Sequence, residues 1–144
     1  MKEMNRSQLR AQLRAYFMDH RSEMLSDTAR LVAINSIKAE EKPGMPFGEG
    51  AAKCLHEAME MMAGYGLTVK NYDNYVITGD YGEGERQLDI LAHLDVVPVS
   101  EDWTVTEPFA MKEVDGRIYG RGTADDKGPA ICALYAIRAI RELN

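Results

Sequence analysis

Apolar residues recur along the chain at two different spacings, and the spacing changes after Gly66. Before that glycine the period is helical. Leu9, Leu13, Tyr16 and Phe17 share one face of a first helix. Leu25, Ala29, Val32 and Ala33 share one face of a second, predicted over residues 21–36. Pro43, Gly44, Pro46, Gly48 and Gly50 then break the pattern, which reads as a loop. A third helix is predicted over residues 49–63, with Leu55, Ala58, Met59 and Met62 as its buried stripe and Gly64 and Gly66 as its stop.

Beyond Gly66 the pattern alternates. LTVKNY and NYVITGDY read as half-buried strands, and GEGER as the turn that follows them. LDILAHLDVVPV is strongly apolar and rich in branched residues, so it reads as a central strand running to about His93, with Pro98 ending the regularity. FAMKEVDGRIYG reads as a hairpin turning at Asp115-Gly116. A last helix runs from Asp125 onward, with Ile131, Leu134, Tyr135 and Arg138 in period. Helices, then strands, then a helix predict an α/β fold with a mixed sheet flanked by helices. The last helix reaches Asn144 with nothing after it to pair the sheet, so residues 1–144 are expected to be the front part of a longer chain.

Composition narrows the function classes. A net charge of -6 with no basic run argues against nucleic acid as the main partner. No apolar run approaches the roughly 18 residues of a membrane span. Glu3, Asp19 and the helical pattern make the N-terminus a structural helix rather than a targeting segment. Cys54 and Cys132 lie far apart, without a CxxC pair and among apolar neighbours. Buried free thiols and a cytoplasmic location are therefore expected.

Two short stretches carry candidate chemistry. In AHLDVVP, His93 and Asp95 are two apart, so on extended backbone they point the same way. A ligating histidine usually gives its second ring N–H to a carboxylate, which fixes the tautomer. In GRGTADDKGP, capping of the last helix accounts for one aspartate but not for two beside Gly120, Gly122 and Gly128. The other reading is a carboxylate held over a metal by a tight loop, with Lys127 either orienting that loop or solvated. Nitrogen and oxygen donors without thiolate suit Zn2+, with Mn2+ or Co2+ as alternatives. His20 and His56 read as ordinary helix histidines, and Glu40-Glu41 as a solvated pair. Ser36 and Ser100 lack the surroundings of a nucleophile. Trp103 and Phe109 are expected to lie under the loop that joins His93 to Asp125.

HLDVVPV, then Trp103 with Pro108-Phe109, then DGRIYGRGTADDKGP resembles the metallopeptidase family of carnosinases, aminoacylases, acetylornithine deacetylase and bacterial dipeptidases. Within it the likeness is greatest to the carnosinase-like, or Xaa-His, dipeptidases. The resemblance implies that His93 is a zinc ligand and that Asp95 orients it. It implies that Asp125 bridges two zinc ions and is joined to Asp126 by a cis peptide. The implied reaction is dipeptide hydrolysis by a metal-activated water, with N-acyl amino acids as the alternative substrate. Further zinc ligands, the general-base glutamate and a lid domain of that family have no counterpart here, since no Glu-Glu pair follows Asp125. Residues 1–144 are thus expected to be the N-terminal portion of a catalytic domain, inactive alone. The alternative is a non-catalytic α/β module that binds metal or a partner. An uncovered apolar face, and with it self-association, is expected in either case.

Overall fold

The computed structural model describes residues 5–85 and 88–143, so Arg86 of the GEGER stretch, Glu3 and Asn144 lie outside the described residues. Three helices open the fold: α1 (Arg6–Asp19), α2 (Arg21–Val32) and α3 (Glu49–Gly64). Asn5 caps α1 by accepting from the amides of Ser7 and Gln8, and Gln8 returns the bond to the Asn5 amide. An antiparallel hairpin follows, β1 (Thr68–Tyr72) with β2 (Val76–Asp80), turning through Asp73 and Asn74 at positive φ. A second hairpin, β3 (Lys112–Val114) with β4 (Arg117–Tyr119), turns at Asp115-Gly116 as its sequence predicts. The helix α4 (Lys127–Leu143) closes the fold.

The α/β class holds, but the sheet does not form as one piece. The predicted central strand is extended without a ladder. Among the described residues its one pairing is a parallel bridge from Val96 to Ile37. Branched apolar residues favour extended backbone, yet a strand exists only where a neighbour supplies the other half of each hydrogen bond. Leu88 and Leu91 are accordingly 74% and 95% exposed.

The core lies between α2, α3 and α4, around Leu31, Ile34, Cys54, Met61, Leu67, Ile131, Leu134 and Tyr135. The α4 face is the one its period predicts. The α2 face is not: Asp27, Thr28, Leu31 and Val32 are buried, while Ala33 is exposed. Asp27 turns inward because two phenols meet it, Tyr135 at 2.9 Å and Tyr65 by a short bond, with Arg30 at 3.1 Å. On α3 the most buried residues are Ala51, Ala52, Cys54 and Met61, and the expected stripe is only half-buried beside them. Cys54 is a buried free thiol, but Cys132 points to solvent from the outer face of α4. Helix α2 also stops four residues short of the predicted end, for a reason found at the site.

Candidate functional site

His93 and Asp125 meet across one cleft of about 160 Å³, lined also by Asp95, Val96 and Gly122. The extended segment after Leu91 carries His93, and the loop between β4 and α4 carries Asp125. His93 Nε2 stands 3.1 Å from Asp125 Oδ1. On the other side of the ring, Nδ1 lies 3.1 Å from the Asp95 carbonyl and 3.3 Å from its carboxylate. Asp95 thereby engages Nδ1 as a donor, so that Nε2, facing Asp125, is the nitrogen left to hold either a proton or a metal ion against that carboxylate.

Asp126, which carries no separate role in the sequence reading, has one here. Its Oδ2 accepts the backbone N–H of His93 at 3.2 Å. Consecutive aspartates thus grip one histidine at ring and main chain, and the peptide between them is cis, as the resemblance implies. Gly122, at φ +88, lets the loop turn, and a Cβ there would lie 3.0 Å from Lys127 Cδ and 3.1 Å from Val96 Cγ1.

The electrostatics favour charge on His93. Partial burial works against the imidazolium, but Asp125, the Asp95 carbonyl and both nearby carboxylates outweigh it and raise the pKa above the usual histidine value. A cation could take the proton's place between the two side chains. Two donors about 2.0–2.1 Å from one tetrahedral zinc stand roughly 3.3 Å apart, so the observed pair fits two ligands of a single ion. Among the described residues no group of three or more His, Cys, Asp or Glu is arranged to hold a metal.

Lys127 is not the solvated lysine that was one of its two readings. It is fully buried, and its ammonium donates to the carbonyls of Leu31 and Ile34 at 2.8 Å each. Those carbonyls lie in the last turn of α2 and just past its end, so the lysine satisfies the helix exit in place of another helical turn. That is why α2 ends at Val32. Burial pulls the ammonium's pKa below the ordinary lysine value. His20, His56, Glu40 and Glu41 lie outside the cleft. Trp103 is half-buried under Arg121, whose guanidinium sits 5.5 Å from the ring centre.

Residues 90–144 match the model of peptidase family M20/M25/M40, a span that contains His93, Asp95, Asp125 and Asp126. The chain is 38% identical over 126 residues to the putative dipeptidase YtjP of Bacillus subtilis, covering 86% of this chain and 27% of that protein. It is 37% identical over 122 residues to the Beta-Ala-Xaa dipeptidase of Lactobacillus delbrueckii subsp. lactis, covering 83% of this chain and 26% of that protein. The crystal structure of human carnosine dipeptidase 1 superposes with a TM-score of 0.69 at 25% identity, over 90% of this chain and 30% of that one. The resemblance read from the motifs is borne out. The chain spans about a quarter of the length of the curated relatives it matches.

Proposed function

We propose, taking that likeness to peptidase family M20/M25/M40 as the premise, that this chain carries part of the metal centre of a zinc-dependent dipeptidase. His93 Nε2 and the Asp125 carboxylate are its ligands. Asp95 orients His93 from the far side of the ring, and Asp126 holds the histidine's main chain. Bound zinc supplies polarisation of the scissile carbonyl and acidification of a water. With two carboxylate oxygens, Asp125 has the donors to bridge a second ion.

The observation that carries this reading is the 3.1 Å approach of His93 Nε2 to Asp125 Oδ1, with Nδ1 already engaged by Asp95. A catalytic zinc takes three protein ligands. The pair here is one short, so the centre is completed by donors other than the described residues, as is the carboxylate that serves as general base. Dipeptides are the substrate class in this reading, supported by the dipeptidase relatives.

Calorimetric titration with zinc tests the ligand pair. Weak, saturable binding is expected, lost in both His93→Ala and Asp125→Ala. Binding that survives in both variants would refute the assignment. The ligand count favours one further outcome: zinc binding without turnover of a dipeptide by these 144 residues alone.

A further inference from the structure

Two fully buried polar side chains, Ser36 and Lys127, are not ligands in the proposed centre. Each nevertheless leads straight to one of its ligand segments. Ser36 Oγ donates at 2.6 Å to the carbonyl of Leu94, the residue between His93 and Asp95. The Ser36 carbonyl accepts the Val96 amide at 3.2 Å, which ties the same segment a second time. Lys127 lies two places past Asp125 and reaches Leu31 and Ile34. Residues 31–36 therefore hold both segments at once. The two segments also touch each other across Gly122, where an added Cβ would press on Lys127 and Val96 together. From the other side α3 closes on the same turn: a Cβ at Gly50 would fall 1.9 Å from the Asn35 carbonyl oxygen.

We propose that the exit turn of α2, residues 31–36, is a shared brace that sets the separation of His93 from Asp125, with Ser36 and Lys127 as its positioning residues. Stability alone gives little reason for such groups. A buried ammonium loses its hydration, and an apolar core of equal volume is often as stable. What the polar groups add is direction, because each bond fixes a main-chain atom beside a ligand. A metal site tolerates ligand displacements of only about 0.2–0.5 Å, so that direction matters to it. The consequence for metal rests on the reading of His93 and Asp125 as ligands; the mechanical coupling does not.

Amide hydrogen exchange on the zinc-free chain tests the coupling. In Ser36→Ala the Val96 amide should exchange at least tenfold faster. So should the Thr123 and Gly128 amides, which bond to Gly120 and Gly122 and do not touch Ser36. Thr28→Val is the control. It removes another buried hydroxyl, bonded to the Met24 carbonyl at 2.8 Å within α2. That variant should lower the melting temperature without singling out either ligand segment. Faster exchange confined to residues 94–96, or equal in both variants, would overturn the brace. In the zinc titration Ser36→Ala should weaken binding about tenfold and Thr28→Val not at all; equal affinities in wild type and Ser36→Ala count against the brace. A wild-type chain that binds no zinc would remove the ligand assignment, and the exchange measurement would still decide the brace. Lys127→Met should loosen Val96 in turn; if it does not fold, Ser36→Ala decides alone.

Discussion

Tyr135→Phe removes one hydroxyl from the network that docks α4, the helix whose first turn follows Asp125. The Tyr135 ring is fully buried, and its hydroxyl donates at 2.9 Å to Asp27, which is itself only 3% exposed. Phenylalanine keeps the ring. The edge contact with Tyr65, centroids 5.6 Å apart, and the Arg138 guanidinium 4.5 Å from the ring centre are both retained, so no cavity opens. What is lost is the hydroxyl's bond to a buried carboxylate, worth about 1.5–3 kcal/mol, together with its 3.1 Å contact to the Tyr65 hydroxyl. Asp27 keeps Tyr65 and Arg30, which places the expected loss near 2 kcal/mol. With a urea m-value of about 1–3 kcal/mol/M, the unfolding midpoint should fall by roughly 1 M at unchanged slope. Asp27→Ala should cost more than Tyr135→Phe, because both phenols lose their shared acceptor at once, while Arg30 keeps Glu57. A Tyr135→Phe midpoint within about 0.2 M of wild type would show that the buried carboxylate does not depend on this phenol, and the account of why Asp27 turns inward would fail.

Gly122→Ala should destabilise the fold by about 1–3 kcal/mol in thermal melts, since φ +88 disfavours any side chain and the new Cβ meets Lys127 and Val96. Burial and the bond to Asp27 push the Tyr65 pKa up to about 12. A phenol whose pKa is higher folded than unfolded stabilises the fold fully below about pH 10, the unfolded value, and loses that contribution as pH climbs through its folded value. Tyrosinate absorbance in Tyr65→Phe should therefore lose a late-titrating component. Thiol reagents should modify Cys132 quickly and leave Cys54 untouched until unfolding, read as one label per native chain by mass spectrometry. Ile131→Val, at a buried core position, should cost about 0.5–1.5 kcal/mol in urea unfolding.

The local features were legible. Four helices, two hairpins and the positive-φ turn at Asp115-Gly116 follow from period and turn chemistry, which act over a few residues. His93, Asp95 and Asp125 stood out because their motifs are contiguous. The features that sequence reasoning missed depend on distant partners. LDILAHLDVVPV carries every mark of a strand, but a ladder needs a neighbour that composition does not name. Nothing in residues 33–36 says that α2 has ended; the stop is an ammonium 96 positions from Leu31. Nothing local to Ser36 signals its part here, because the bond that defines it spans 58 positions. Asp27 reads as a surface residue on any helical wheel until Tyr65 and Tyr135 are brought beside it.

The brace also orders events in time. Its bonds close loops of 58, 93 and 96 residues, whereas helices and hairpins form from neighbours within a few positions. Distant closures carry the larger entropic cost and wait for the rest of the chain to become compact. On this reasoning the approach of His93 to Asp125 is expected to form late as the polypeptide folds, and to be lost early when α4 lifts away.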